Sequence, residues 1–292
     1  IIADVRDYKK LYKEINQSKE EIIFHLAAQA LVVDSYKEPR ETFETNIIGT
    51  LNILDIIKKI KKIKTSILIT SDKVYDVSKS KIYRETDFIR GLDPYSSSKV
   101  CCEHIFYSYK NSFFKKNSNQ QIATVRAGNV IGGGDYSANR LIPDIFLALD
   151  KNKDINIRNP NFTRPWQHVL EPLSGYVALA QKLYSKYKKI SSVEQNWNFG
   201  PEVKNCKTVK YITEYITKKI PIKIKYNKKK NTKNYETDFL RLNNHKAKKI
   251  LKWKPRWSLD TTLNKIIEWN ISIRNQDPRK VCEKQIIDYF KS

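Results

Sequence analysis

The stretch Ser66-Ile-Leu-Ile-Thr70-Ser71-Asp72-Lys73 decides the fold, because a short apolar run ends directly in three polar residues. Two similar runs are Ile22-Ile-Phe-His-Leu-Ala-Ala28 and Ile122-Ala-Thr-Val-Arg-Ala-Gly128. Such runs, separated by long helical segments, are typical of strands buried on both faces of a parallel sheet. Residues 39–63 carry apolar side chains at helical spacing, which predicts a helix packed on that sheet. The sequence therefore predicts a doubly wound α/β architecture.

The pattern changes after Gly128, where a glycine-rich loop, Gly132-Gly-Gly134, leads into shorter mixed elements. The candidate short strands are Ile155-Asn-Ile157, Trp197-Asn-Phe199 and Ile222-Lys-Ile224. The candidate helices are residues 172–187 and 259–273. Residues 225–235 are rich in Lys and Asn and are predicted to form a loop. We therefore expect two domains, residues 1–130 with the sheet and residues 131–292 with a smaller mixed lobe over the strand ends. Part of the second segment is expected to return to the first domain.

The composition limits the class of partner. The formal net charge of +24 would suit a polyanion, but only twelve of the 55 basic residues are Arg and the Lys runs are scattered. We therefore expect no nucleic-acid partner. No apolar run is long enough to span a membrane, so we expect no membrane partner either. Four cysteines, Cys101, Cys102, Cys206 and Cys282, lack metal-type spacing, and no metal site is predicted.

Tyr95 and Lys99 form a candidate proton-transfer pair. Asp93-Pro94 is a helix-start signal, which places Tyr95 and Lys99 one turn apart on one helix face. A nearby ammonium lowers the pKa of a phenol, and such a phenolate can remove a hydroxyl proton. A surface Tyr/Lys pair is the alternative interpretation, and the spacing alone does not decide between them.

The context of this pair resembles the extended short-chain dehydrogenase/reductase superfamily, which binds NAD(P) on a Rossmann sheet and acts on nucleotide sugars. Over most of the chain the closer resemblance is to the CDP-glucose 4,6-dehydratase family. The segments that carry it are His25-Leu-Ala-Ala-Gln29, Phe43-Glu-Thr-Asn46, Thr70-Ser-Asp-Lys73, Asp93-Pro-Tyr-Ser-Ser-Ser-Lys99, Arg126-Ala-Gly-Asn-Val-Ile-Gly-Gly-Gly-Asp135, Arg140-Leu-Ile-Pro-Asp144 and Arg164-Pro-Trp-Gln-His-Val-Leu-Glu-Pro-Leu-Ser-Gly175.

The resemblance implies a lyase that uses NAD to oxidise C4 of CDP-glucose, eliminate water across C5 and C6, and return the hydride to C6. Tyr95 would take the C4 hydroxyl proton and Lys99 would hold the nicotinamide ribose. Ser71 would hydrogen-bond the C4 oxygen, and Asp72 would protonate the departing C6 hydroxyl.

Lys73 stands where dTDP-glucose relatives carry a glutamate, and the resemblance implies that it abstracts the C5 proton. A free lysine has a pKa of about 10.4, so this role requires a pKa lowered by roughly two to three units. The alternative is an ion-pair partner of Asp72.

The resemblance also assigns binding residues. The cofactor would lie along Leu26, Ala27, Ala28 and Gln29, with Thr45 nearby, Asp4 and Val5 at the adenine, and Tyr95 and Lys99 at the nicotinamide. The nucleotide sugar would be held by Asn129, Arg140 and Arg164, with Arg164 as a bidentate diphosphate clamp. For Arg140 a surface helix charge is the alternative.

One departure concerns the glycine-rich turn that this superfamily uses for the cofactor pyrophosphate. Gly132-Gly-Gly134 follows the third apolar run and cannot replace it, and the chain has only eight glycines. We therefore expect that the first βαβ unit of the Rossmann sheet is missing and that the fold is N-terminally incomplete. The chain expressed alone is then expected to be inactive or insoluble.

Other assignments stay open at this point. Another extended dehydrogenase/reductase, such as a dTDP-glucose dehydratase or an epimerase, is the close rival, although an epimerase has no need of Asp72 and Lys73 as an acid and a base. A non-catalytic sugar-nucleotide-binding protein is the alternative from another class. The resemblance further implies a cytoplasmic homodimer that serves deoxysugar biosynthesis, as in lipopolysaccharide O-antigen.

Overall fold

The computed structural model describes residues 1–76, 81–114, 119–157, 159–185, 195–226 and 240–292. Within these ranges the α-helices are α1 Tyr8–Gln17, α2 Val32–Lys37, α3 Pro39–Phe43, α4 Gly49–Lys59, α5 Pro94–Ser112, α6 Leu141–Asp150, α7 Leu170–Ser185, α8 Val209–Thr217, α9 Leu259–Ser272 and α10 Pro278–Lys291. The strands are β1 Ile22–His25, β2 Thr65–Ile69, β3 Ile82–Tyr83, β4 Gln121–Ala127, β5 Val130–Ile131, β6 Ile155–Ile157, β7 Thr163–Pro165, β8 Gln167–His168, β9 Asn196–Phe199, β10 Cys206–Thr208, β11 Ile224–Tyr226 and β12 Arg241–Leu242.

The central sheet consists of four parallel strands in the order β1-β2-β4-β9. Its first three strands are the apolar runs that the sequence predicts. The fourth, β9, contains Trp197-Asn-Phe199 and pairs with β4. Because Trp197 and Phe199 are fully buried, this part of the chain belongs to the sheet and not to the lobe above it.

Helices cover both faces of the sheet, which confirms the doubly wound α/β prediction. Ile67 and Leu68 are neighbours on β2 and point to opposite faces, as the period of a strand requires. Leu68 packs in the cluster formed with α4, α5 and Ile122, whereas Ile67 packs with α7, β9 and Trp253. Burying one such aliphatic side chain stabilises the fold by about 1.5–3 kcal/mol.

The helix predicted over residues 39–63 is present as α3, a π-helical segment Glu44–Ile48 and α4, and it ends at Lys59. Asn46 lies in the π-helical segment and is buried. Its amide exchanges two hydrogen bonds with the backbone of Gln29 and donates to Ser98 Oγ at 2.8 Å. The chain that leaves β1 is thereby fixed against the helix that carries Tyr95.

A second hydrophobic core lies outside the sheet. It joins α6, β6, α8 and α9 through Ile145, Ile212, Leu263 and Ile266. The predicted strand Ile155-Asn-Ile157 is confirmed, and its partner β11 lies two residues later than predicted. The predicted helices correspond to α7 and α9. Of the predicted loop 225–235, the first two residues belong to β11 and the others lie outside the described residues.

In the described ranges, no helix combines the length and the apolar character that a membrane crossing demands.

Candidate functional site

A cavity of about 410 Å³ lies between the carboxyl ends of the central strands and the second hydrophobic core. Ligands of open α/β sheets bind at this edge. The cavity is lined by seven of the residues that the sequence singled out: Ser71, Asp72, Lys73, Tyr95, Asn129, Arg140 and Arg164. The structure therefore brings the predicted substrate-binding side chains and, except for Lys99, the predicted catalytic side chains to one place.

The helix α5 begins where the sequence predicts. The Asp93 carboxylate accepts a hydrogen bond from the Ser96 backbone N–H at 2.9 Å, and Pro94 occupies the first helical position. The Tyr95 backbone N–H donates to Ser35 Oγ at 3.2 Å. One turn later, Lys99 Nζ donates to the backbone carbonyl of Ile69 at 3.2 Å. The helix is thus attached directly to the end of β2.

Burial has the largest effect on the pKa of the Tyr95 phenol. Burial raises its pKa to about 12, while a hydrogen bond with Ser71 and the charge of Arg140 act in the opposite direction. The prediction that Lys99 brings this pKa toward neutrality is wrong, because the ammonium is directed to the Ile69 carbonyl. Burial also lowers the pKa of Lys99. Burial therefore disfavours the phenolate of Tyr95, whose hydroxyl is hydrogen-bonded to Ser71.

The residues after β2 form a 3₁₀ turn, Asp72–Val74, capped by Ser71. Ser71 Oγ accepts from the Lys73 backbone N–H at 3.2 Å and donates to Asp72 Oδ1 at 3.3 Å. Asp72 is 3% exposed, and burial raises its pKa to about 6 against the charges of Lys73 and Arg164. A carboxyl with this pKa can hold and release a proton near neutral pH, as a general acid must.

Lys73 is half-buried and lines the same cavity. Its charge lowers the pKa of Asp72. The alternative interpretation, an ion-pair partner of Asp72, receives no support from the described residues, among which no such ion pair is formed. The lysine side chain therefore faces the cavity as a separate group, next to the carboxyl.

Gly128 determines where the Asp72 carboxyl can lie. A Cβ at residue 128 would stand 2.0 Å from Asp72 Oδ2 and 3.0 Å from Pro165 Cγ. That Asp72 oxygen is buried without a hydrogen-bond partner. Position 128 therefore requires a residue with no side chain. The sequence analysis missed this constraint, since only the three-dimensional packing reveals it.

Replacement of Gly128 by Ala is expected to displace the Asp72 carboxyl and to reduce turnover by about 10²-fold, the scale associated with a displacement of 1 Å at a reacting group. Steady-state kinetics with the nucleotide sugar measures this. Gly132→Ala is the matched control, because its Cβ would meet only the Val169 side chain, at 2.9 Å. Equal losses in both variants would contradict a specific role of Gly128.

Two arginines reach the cavity from the second core. Arg140 precedes α6, lies 3.5 Å from Asp135 and donates to the Ala30 carbonyl at 3.3 Å. Arg140, whose side chain is 41% exposed, thus links the start of α6 to the segment after β1. Arg164 lies on β7 with its guanidinium over the Phe162 ring at 5.1 Å. Both cations therefore border the cavity that Asp72, Lys73 and Tyr95 also line.

Asn129 enters the cavity through an unusual backbone conformation. Its φ of 34° is in the left-handed region, which Asn adopts more readily than most residues. The residue follows Gly128 directly at the end of β4 and lines the cavity.

The predicted cofactor residues other than Tyr95 lie outside the cavity lining. Leu26 and Ala27 are exposed at the carboxyl end of β1, and Thr45 is half-buried in the π-helical segment. Asp4 is exposed and forms an ion pair with Arg6 at 2.6 Å. Val5 contacts the place where a Cβ on Gly49 would stand, at 2.7 Å. These residues form a separate surface along the edge of the sheet.

This surface fits part of a dinucleotide. The exposed apolar side chain of Leu26 follows His25, whose pKa is lowered to about 4 by burial and by the charge of Lys99. Leu26 therefore offers an exposed apolar side chain at the carboxyl end of β1. The pyrophosphate cradle is not provided by the described glycines, because none lies in a turn after β1.

The sequence analysis did not predict two kinds of residue at the site. Tyr176 on α7 is buried, and its pKa is raised by burial and by its proximity to Asp72 and Tyr95. Its helical spacing gives only the signal of a core residue. Phe162 and Trp166 add aromatic walls to the cavity, and their aromatic character is the only hint that the sequence offers.

The described residues contain no group of three or more His, Cys, Asp or Glu side chains that could hold a metal ion.

The comparisons with known proteins agree on one family. The family model described as GDP-mannose 4,6 dehydratase matches residues 1–266. CDP-glucose 4,6-dehydratase of Salmonella typhimurium is 42% identical over 298 residues, which cover 100% of this chain and 82% of that protein. UDP-glucose 4-epimerase 3 of Oryza sativa subsp. japonica is 25% identical, with 94% and 75% of the two chains covered.

Solved structures show the same fold. The dTDP-glucose 4,6-dehydratase of Bacillus anthracis, in complex with NAD, matches with a TM-score of 0.76 and 22% identity, covering 96% of this chain and 82% of that one. The UDP-glucose 4-epimerase of Thermotoga maritima, with UDP-glucose, matches with a TM-score of 0.77 and 20% identity, covering 94% and 84%.

Proposed function

The chain belongs to the GDP-mannose 4,6 dehydratase family, within the extended short-chain dehydrogenases/reductases, and on this premise we propose that it dehydrates CDP-glucose to CDP-4-keto-6-deoxy-glucose. The observation that carries the proposal is the buried Asp72 carboxyl, whose raised pKa of about 6 suits a general acid. It shares one cavity with Tyr95 and Lys73. Redox and elimination chemistry can therefore act on one sugar.

The cofactor of the proposed reaction is NAD, which when bound accepts a hydride from C4 of the sugar and later returns it to C6. The hydrogen bond with Ser71 and the charge of Arg140 act toward the phenolate of Tyr95, which takes the proton of the C4 hydroxyl, and Ser71 holds the C4 oxygen. Lys73 then removes the C5 proton, and Asp72 gives its proton to the departing C6 hydroxyl. Lys73 returns a proton to C5 when the hydride reaches C6. Leu26, Ala27, Ala28, Gln29, Thr45 and Lys99 are proposed to hold the nicotinamide half, and Asp4 and Val5 the adenine.

The nucleotide part of the substrate is proposed to bind at the lobe side of the cavity. Arg164 and Arg140 supply positive charge for the diphosphate, and Asn129 supplies amide hydrogen bonds. The 42% identity to a CDP-glucose enzyme supports cytidine as the base.

Incubation of the protein with CDP-glucose and NAD tests the proposal, and formation of the product would contradict the expectation that the chain expressed alone is inactive. With substrate deuterated at C4, we expect a product that has lost one water and carries the label at C6. An epimerase would return the label to C4 without loss of water, and a binding protein would leave the sugar unchanged. A parallel incubation with dTDP-glucose reports the preference for the base. Faster turnover of dTDP-glucose would overturn the assignment of CDP-glucose.

We further propose that residues 1–130 and 131–292 act as the cofactor-binding and nucleotide-sugar-binding domains. The separate core of α6, β6, α8 and α9 supports the second domain, and β9 and α7 return to the first. A cytoplasmic homodimer in deoxysugar biosynthesis, such as that of lipopolysaccharide O-antigen, completes the proposal.

A further inference from the structure

Behind the cavity lies a buried polar cluster centred on Glu103. Glu103 and Arg126 are 3% and 1% exposed and form an ion pair at 2.8 Å between the two side chains. Two hydroxyls also donate to the carboxylate, Thr70 Oγ1 to Oε1 at 2.6 Å and Thr124 Oγ1 to Oε2 at 3.0 Å. The carboxylate thus joins three elements, since Glu103 lies on α5, Thr124 and Arg126 on β4, and Thr70 follows β2.

The cluster holds the segment of residues 71–73 from both sides. Thr70 precedes this segment and bonds Glu103 directly. Tyr75 follows it, and its hydroxyl accepts a hydrogen bond from Arg126 Nη1 at 2.9 Å and donates to Asn198 Oδ1 at 2.7 Å. Tyr75 is fully buried. One ion pair therefore contacts the chain immediately before and soon after the three polar residues at the end of β2.

The Glu103 carboxylate belongs to α5, the helix that also carries Tyr95 and Lys99. Glu103 stands one turn after Lys99 and two turns after Tyr95 on α5. Lys99 Nζ also bonds the carbonyl of Ile69, the residue before Thr70. The proposed reaction divides its work between α5 and the segment 71–73, so its steps require a fixed distance between these two elements.

We propose that Glu103 and Arg126 are a positioning pair, which sets the register between the helix of Tyr95 and Lys99 and the segment 71–73. This role rests on the proposed function, because it matters only where the two elements act on one substrate. A buried pair is suited to it, since both charges are satisfied only in one arrangement of the three elements. Neither residue lines the cavity, so neither contacts the substrate.

The test uses Thr70→Val with Thr124→Val as the matched control. Both changes keep side-chain shape and remove one hydroxyl from the Glu103 carboxylate, but only Thr70 adjoins the segment 71–73. Tyr75→Phe releases the other side of the segment, and Thr70→Ser restores the lost hydroxyl. Hydrogen exchange of the backbone amides of residues 70–76 is measured for each variant, together with kcat, KM and the thermal unfolding of the full chain.

For Thr70→Val and Tyr75→Phe we expect faster exchange over residues 70–76 and a kcat lowered about 10- to 100-fold at an unchanged KM. Thr124→Val and Thr70→Ser should resemble the unmodified protein. Equal behaviour of Thr70→Val and Thr124→Val, or unchanged exchange in both released variants, overturns the positioning role. If the unmodified protein leaves CDP-glucose unchanged, the proposed function fails, while the exchange contrast between the two valine variants still supports or overturns the positioning.

Discussion

Asp72→Asn is expected to lower the rate of water elimination by about 10³-fold or more, because the amide cannot supply the proton that the departing C6 hydroxyl requires. In the unmodified protein the same carboxyl should give turnover an alkaline limb with a midpoint at or above pH 6, since its pKa is raised to about 6. Steady-state rates across pH 5 to 9, followed by product analysis, measure both effects. Elimination at an unchanged rate in the asparagine variant would remove Asp72 from the mechanism.

The same substitution should also change stability in a pH-dependent way. In the unfolded chain Asp72 has its ordinary pKa of 3.8, and burial raises it to about 6 in the folded protein. The folded state therefore holds the proton more tightly, so the free energy of unfolding falls as pH rises from about 4 to about 6 and remains low above that. Asparagine does not titrate, so the Asp72→Asn variant does not lose this stability as the pH rises.

Between pH 4 and pH 8 the Asp72→Asn variant is therefore expected to gain about 2 kcal/mol in the free energy of unfolding relative to the unmodified protein. Urea unfolding at the two pH values measures the difference. Asp34→Asn is a suitable control, because the Asp34 side chain is 45% exposed and its ion pair with Lys37 at 3.8 Å is a surface pair. A pH-independent difference for Asp72→Asn would show that burial does not raise this pKa.

The sequence was sufficient to predict the parallel strands and the start of α5. Short apolar runs and the Asp93-Pro94 cap are local signals, and local hydrogen bonds and burial determine both features. The cavity residues could be predicted because the carboxyl ends of parallel strands meet at one edge. Motif resemblance, and not periodicity, identified Arg140 and Arg164.

The electrostatic environment could not be predicted in the same way. The pKa of Tyr95 depends on how deeply the ring is buried and on the direction of the Lys99 side chain, which no spacing in the sequence reports. Gly128 and Glu103 matter through contacts with residues that are distant in the chain. The sequence therefore predicts which groups reach the site, whereas the packing determines their protonation and position.

Lys73→Ala and Lys73→Arg together separate the two roles open to this lysine. If Lys73 removes the C5 proton, both variants should lose elimination by about 10³-fold, because alanine has no base and an arginine in a protein stays protonated. If Lys73 serves only as a positive charge beside Asp72, arginine should keep most of the activity while alanine loses it.

Oxidation at C4 requires Tyr95 and Ser71 but not Lys73, so both variants are expected to retain it. Absorbance of the reduced nicotinamide under single-turnover conditions measures the oxidation, and incorporation of solvent deuterium at C5 measures removal of the C5 proton. In both Lys73 variants we expect oxidation without exchange at C5. Exchange at C5 in the arginine variant at the unmodified rate would exclude Lys73 as the base and leave its charge as its contribution, because the cavity would then have to supply another group that accepts this proton.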